Sequence, residues 1–287
     1  MDIIWVTGAN GQLGSELKEL AAGNSKDHFK FTDVAEVDIT DAVAVTNFLE
    51  KEKITVLINC AAYTAVDKAE TEVVLADKIN HLAVAHMAKE AKRLGIKLIH
   101  ISTDYVFDGT SKKPYTETDI PNPQSVYGQT KLDGEKAMIA ENPANSIIIR
   151  TAWVYSSYGA NFVKTMLRLG TERDEINVVN DQIGSPTYAA DLAAVLITIL
   201  PKLKNNAVAL YHYTNDGQCS WYEFAEAIFK AKGIHIKVNP IPTTAYPTPA
   251  KRPSFSLLDK GKIKEDFGVE IRDWNDALNN CSSILNS

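Results

Sequence analysis

The stretch Ile3-Ile4-Trp5-Val6-Thr7-Gly8-Ala9-Asn10-Gly11-Gln12-Leu13-Gly14 decides the fold. A short apolar run stops at glycines spaced Gly-x-x-Gly-x-x-Gly, and Leu13, Leu17, Leu20 and Ala21 then recur at helical spacing. Strand, glycine turn and helix in that order is the context in which such glycines mark a dinucleotide cradle. Gly8 and Gly11 would permit a tight turn and close backbone approach, with the helix N-terminus facing a pyrophosphate. A plain glycine-rich connection is the alternative.

The chain outward from this turn repeats the same rhythm. His28 to Asp33 reads as a second strand, and Asp33 ends it 19 residues after Gly14, where an acidic side chain binds the adenosine ribose hydroxyls. A carboxylate there disfavours a 2′-phosphate and leans toward NADH, a lean weakened by Lys26 and Lys30 nearby. Asp41 caps a helix running to about Lys51. Ile54 to Cys60 is a continuous apolar strand, as in a sheet covered on both faces, and ends in the small residues Ala61-Ala62, where a cofactor could lie against the backbone. A helix over 73–94 closes at Gly95. Its Asn80 is either a satisfied core residue or a group at the cofactor junction.

Strands at 97–102 and 146–151 follow, ending at Thr103 and near Trp153. This alternation predicts an α/β fold, a Rossmann-type, doubly wound parallel sheet over residues 1–155. Beyond it come helices near 161–169, 188–200, 221–232 and 274–285, short strands at 176–179 and 210–213, and a proline-rich run at 241–253 that can be neither regular helix nor central strand. Residues 156–287 are therefore expected to form a smaller α/β substrate-binding domain, with some segments returning to pack on the first.

Tyr127-Gly128-Gln129-Thr130-Lys131 carries the chemistry. A tyrosine and a lysine four apart share one helix face, with Cβ atoms about 5–6 Å apart. A nearby ammonium stabilises a phenolate, and a phenol so tuned can protonate a carbonyl oxygen as it becomes an alkoxide. Ligands of an open α/β sheet sit beyond the carboxyl ends of its strands, so the Thr103 hydroxyl could meet the same carbonyl. With a dinucleotide cradle, the set points to hydride transfer.

Composition narrows the choices. The 287 residues are 45% hydrophobic and 23% charged, ordinary for a globular protein. A net charge of −6 argues against a nucleic-acid surface. Cys60, Cys219 and Cys281 lack metal-ligand spacing and read as reduced thiols. No basic leader and no apolar run of about 18 residues occurs, so the expected location is cytoplasmic, without membrane partners. No histidine pair has zinc-helix spacing, and there is no Gly-x-Ser-x-Gly turn.

Several further blocks carry a resemblance that runs almost end to end: Asn59 to Glu70, Ser102 to Gly109, Arg150 to Tyr155, Asn180 to Thr187 and Tyr246 to Pro253. With the glycine turn and the Tyr127 block, they resemble the dTDP-4-dehydrorhamnose reductases, a family of extended short-chain dehydrogenase/reductases. The resemblance implies reduction of a dTDP-linked 4-keto-6-deoxy sugar by NADPH or NADH, with Thr103, Tyr127 and Lys131 catalytic. It implies dinucleotide contacts at Gly8, Gly11, Gln12, Leu13, Asp38, Ile39, Ala61, Ala62 and Tyr63, and at Tyr127 and Lys131. Asp104, Val106 and Trp153 would lie beside the sugar, and Arg252 at the diphosphate. Related dehydratases carry an acidic residue after Thr-Asp, where this chain has Tyr105. Some members form a homodimer around a metal held by glutamates. Glu16 matches one such position but Ala190 stands at another, so no metal is expected at that site, and a homodimer is left open. The alternatives are a reductase or epimerase of another nucleotide-linked 4-keto sugar, or a non-catalytic dinucleotide-binding subunit like the regulatory subunit of a methionine adenosyltransferase.

Overall fold

The computed structural model describes residues 1–23 and 26–285. Its strands are β1 (Ile3–Thr7), β2 (His28–Thr32), β3 (Val56–Asn59), β4 (Lys97–Thr103) and β5 (Ile147–Thr151). Then follow β6 (Val154–Tyr155), β7 (Glu175–Val179), β8 (Ile183–Gly184), β9 (Thr187–Tyr188), β10 (Ala209–His212), β11 (Cys219–Ser220) and β12 (Lys237–Ile241). The main sheet has six strands in the order β10-β5-β4-β3-β1-β2, all parallel. The chain steps from β1 outward to β2 and then crosses back to β3, so a crevice opens between β1 and β3 at their carboxyl ends.

Side chains alternate across this sheet and feed two cores. Ile4, Val6, Ile58 and Ile149 face helix α1 (Gln12–Ala22), meeting its Leu13 and Leu17. Trp5, Leu57, Leu98 and Ile148 face the other way, onto Val45 and Leu49 of α2 (Ala42–Lys51). Asp41 caps α2 as expected, its Oδ1 accepting from the Val43 and Ala44 amides at 3.0 Å each.

The helix expected over 73–94 is not continuous. After α3 (Val66–Ala69) and α4 (Val73–Asp77), a π-helical turn spans Lys78–Leu82 before α5 (Ala83–Leu94). Asn80 sits in that turn, fully buried and satisfied: its Oδ1 accepts from the Tyr63 amide at 2.9 Å, and its Nδ2 donates to the Tyr63 carbonyl at 3.1 Å and to Thr130 Oγ1 at 3.2 Å. It joins the loop after β3 to α6 (Val126–Glu141), the helix that carries Tyr127 and Lys131.

Helix α7 (Phe162–Glu172) packs with later helices in a third core, but α8 (Ala189–Ile199) does not. Its Leu192, Leu196 and Ile199 cover the same sheet face as α1. α9 (Trp221–Lys232) opens on a Ser220/Glu223 capping box. α10 (Gly261–Phe267), which periodicity did not reveal, returns Ile263 and Phe267 to the α1 face, and α11 (Trp274–Ile284) joins α7 and α9 in the third core. The short strands pair as β11-β8, β12-β7 and β6-β9. Among the described residues no helix is long and apolar enough to cross a membrane.

One cap starts α6 and two contacts seat it on the sheet. Ser125 caps it through a 3.1 Å bond from the Gly128 amide. Gly128 lies so close to the turn after β4 that a Cβ there would fall 2.2 Å from the Tyr105 carbonyl oxygen. Glu135 reaches under the sheet and accepts from Arg150 Nε at 2.9 Å and Nη2 at 2.6 Å, and also from the Ser102 hydroxyl. Both side chains of this ion pair are almost wholly buried. Removing one partner of such a pair costs about 3–5 kcal/mol, while replacing both by apolar groups can be near neutral. Glu135→Leu should therefore lower the unfolding free energy by about 3–5 kcal/mol in urea titrations, and Glu135→Leu with Arg150→Met should recover most of the loss.

Candidate active site

The crevice at the carboxyl ends of β1, β3 and β4 is a single cavity of about 680 Å³. At one end lie Gly8, Gly11, Gln12 and Leu13, with Asp33, Asp38 and Ile39 beside them; Ala61 and Ala62 form the middle; Thr103, Asp104, Tyr127, Lys131 and Trp153 form the other end. Gly8 holds φ +64, and a Cβ on it would stand 2.8 Å from the Ala61 backbone. α1 has no side-chain cap at Gly11, so its first amides remain available to an anion.

The glycine end is acidic. Asp33 accepts from the Asn10 amide at 3.0 Å and the Val34 amide at 2.8 Å. The Thr40 amide and hydroxyl, at 2.8 and 2.7 Å, hold the Asp38 carboxyl below the usual carboxylate range. Lys30 pairs with Glu52 at 2.9 Å, and neither Lys30 nor Lys26 lines the cavity. Among the described residues Lys131 is the one cation that does.

At the far end, Tyr127 and Thr103 line the cavity together, and the Thr103 hydroxyl favours the ionised form of the phenol. Thr103 Oγ1 donates to Asp104 Oδ1 at 3.0 Å and accepts from the Tyr105 amide at 3.2 Å. The Tyr105 ring meets the Tyr127 ring edge-on, centroids 5.4 Å apart. The sequence reading has the lysine drawing the phenol toward neutrality, but burial dominates. It pushes Tyr127 up to about 12, opposed by the Thr103 bond and reinforced by the Asp104 charge. Lys131 is 2% exposed, and its ammonium donates to the Ile101 carbonyl at 2.6 Å. Burial lowers it to about 8, with Glu135 and Cys60 opposing. The phenol is thus fully protonated at neutral pH.

Trp153 adopts φ +49, a left-handed backbone that is strained for a bulky residue, and stacks on Trp221 with centroids 3.6 Å apart. Three of the expected residues do not line the cavity. Tyr63 is tied to Asn80 and, through its hydroxyl, to Glu72 at 2.7 Å. Val106 is fully buried in a small core with Phe107, Tyr115, Leu132 and Leu258. Arg252 forms a two-pronged bridge to Asp67, at 2.9 and 2.8 Å, joining the proline-rich run to α3.

The cavity also includes residues that sequence reasoning missed. Asn161, which caps α7, donates to Gln12 Oε1 at 3.1 Å and so brings Gly159, Ala160 and Asn161 against the glycine turn. Asn161 is visible in the sequence as a cap, but nothing there shows which turn it faces. His100 and His212 are buried, and burial holds both well below the usual imidazole range. Glu16 accepts from the Ser156 hydroxyl at 2.6 Å, and among the described residues no cluster of three metal-ligating side chains occurs.

The chain matches the RmlD substrate binding domain over residues 1–286. It is 45% identical over 285 residues to a dTDP-4-dehydrorhamnose reductase of Aggregatibacter actinomycetemcomitans, covering 96% of each chain. A crystal structure of a dTDP-4-dehydrorhamnose reductase from Clostridium acetobutylicum superposes with a TM-score of 0.94 at 45% identity, covering 99% of both chains. One from Bacillus anthracis in complex with NADP superposes with a TM-score of 0.93 at 38% identity, covering 98% of both. On these matches and this architecture, the chain belongs to the dTDP-4-dehydrorhamnose reductases, a family of NAD(P)H-dependent oxidoreductases.

Proposed function

We propose that this chain reduces the C4 keto group of dTDP-4-dehydro-L-rhamnose to give dTDP-L-rhamnose. The observation that carries the reading is one continuous cavity lined by the glycine turn at Gly8–Leu13 and, at its other end, by Thr103, Tyr127 and Lys131 together. The positive φ of Gly8, its contact with Ala61 and the uncapped α1 N-terminus fit a pyrophosphate. When bound, a dihydronicotinamide supplies the hydride.

The protein's own groups do the rest. Tyr127 enters the reaction protonated and gives its proton to the developing alkoxide. Thr103 orients the carbonyl through the Tyr127 hydroxyl beside it. Lys131 binds the nicotinamide ribose and stabilises the phenolate that Tyr127 becomes. Asp104 and Trp153 flank the sugar, and Arg252, oriented by Asp67, serves the diphosphate. Residues 156–287 mainly shape the sugar-nucleotide side. A non-catalytic binding subunit would have no need of the intact Thr103/Tyr127/Lys131 set.

The substrate test is oxidation of NADH or NADPH with freshly made dTDP-4-dehydro-L-rhamnose beside other dTDP- and UDP-4-ketosugars; turnover of the others alone would reject this substrate. Tyr127→Phe should cut turnover by at least roughly 10²-fold, the low end for general acid catalysis, while cofactor affinity by fluorescence titration stays nearly unchanged.

Asp33 and Asp38, with no cation beside them among the described residues lining that end of the cavity, favour NADH over NADPH. Asp33→Asn should move the NADH/NADPH ratio of kcat/KM toward NADPH by about tenfold, the effect of ~1.4 kcal/mol of relieved repulsion. An unchanged ratio would remove Asp33 from cofactor choice.

A further inference from the structure

We propose that Asp104 is the proton source that recharges Tyr127, its proton passing through the Thr103 hydroxyl. The proposal rests on the reductase reading above and concerns where the second hydrogen of the product comes from.

The geometry is unusual for a carboxylate. Asp104 is 2% exposed, opens the helical turn after β4 and lines the cavity. Its Oδ1 accepts from Thr103, but its Oδ2 has no hydrogen-bond partner. A buried, half-satisfied carboxylate is costly unless it can take up a proton or meet a donor. Burial pushes its carboxyl up to about 6, opposed by the Ser256 and Thr103 hydroxyls and the Asp104 and Tyr105 amides. The ionisable groups that feel its charge are Tyr127 on α6 and Tyr105 on its own turn. The C-terminal segment presents the uncharged Ser256, and Lys131 on α6 is aimed instead at the Ile101 carbonyl.

The hydroxyl hydrogens decide the direction of the chain. With Asp104 ionised, Thr103 donates to it and offers Tyr127 only a lone pair, so a phenol hydrogen taken up by Thr103 points away from a substrate carbonyl. With Asp104 protonated, its O–H donates to Thr103, Thr103 turns to donate to Tyr127, and the phenol hydrogen is released toward the substrate. In the reducing step the Tyr127 O–H bond breaks as the proton joins the C4 oxygen. The Thr103 proton then moves to Tyr127, and the Asp104 proton to Thr103. The ketone gains a hydride from the dihydronicotinamide and one proton from Asp104, which ends as a carboxylate and is reprotonated by solvent.

A donor must be protonated, so its contribution is present below its pKa and lost as pH rises through it. In single-turnover measurements of hydride transfer by the full-length protein, the rate should fall as pH rises through about 6, with a bowed proton inventory in mixed H2O/D2O. Asp104→Asn should flatten that limb, make the inventory linear and slow the step at least tenfold at low pH. Thr103→Val should flatten it likewise, and Thr103→Ser should restore it. If Asp104→Asn does not fold by circular dichroism, the Thr103→Val and Thr103→Ser pair decides. A limb and inventory unchanged in Asp104→Asn, or a rise in KM alone, would overturn the relay and leave the reductase standing. No turnover by the wild-type protein would overturn both.

Discussion

The site depends on one buried ion pair. Glu135 and Arg150 face each other in the protein interior, and Ser102 shares the carboxylate. Because each charge is satisfied only in one relative position of α6, β4 and β5, the pair fixes how far Tyr127 stands from Thr103. Arg150 also lies over the Phe107 ring, 5.0 Å from its centroid, which extends the constraint to the turn that begins with Asp104. Buried ionic groups of this kind do little for net stability compared with apolar packing, and registry is their best-attested use. Here the registry is between the helix that carries Tyr127 and the strand that ends at Thr103.

The opposite end of the cavity is organised by backbone rather than by charge pairs. Close approach of Gly8 to Ala61 brings β1 and β3 together where the strand order reverses, and the leading amides of α1 point at the gap. The two ends are therefore electrostatically unlike. Amides and carboxylates line the glycine end, while the Lys131 ammonium and the hydroxyls of Thr103 and Tyr127 line the other. Burial sets the protonation states there. Burial raises the phenol, lowers the ammonium and raises the Asp104 carboxyl.

Much of this was legible in the sequence because it is local. The glycine turn, the Asp41 cap, the Gly95 stop and the Tyr127/Lys131 spacing are each set within a few residues, and they lie where periodicity puts them. What could not be read is the long-range part. Asn80 distorts its own helix to reach Tyr63 and Thr130, and no helical pattern announces that. Asn161 looks like any cap until the fold brings it to Gln12. Val106 reads as one more residue of a site-forming block, yet the turn after β4 carries it into a core, while Asp104 two positions earlier enters the cavity. Helical spacing gives the distance between Tyr127 and Lys131 but not how deeply both are desolvated, so the upward shift of the phenol is not legible in it.

The edge strand β10 has a consequence for how the chain is made. It pairs with β5 from more than fifty residues downstream, and the same sheet face waits for Leu192, Leu196, Ile263 and Phe267 to arrive. A nascent chain can lay down the first five strands in order, yet it holds an unpaired margin and a bare apolar surface until residues 209–267 have followed. In that interval an open strand edge and uncovered apolar surface expose the polypeptide to aggregation.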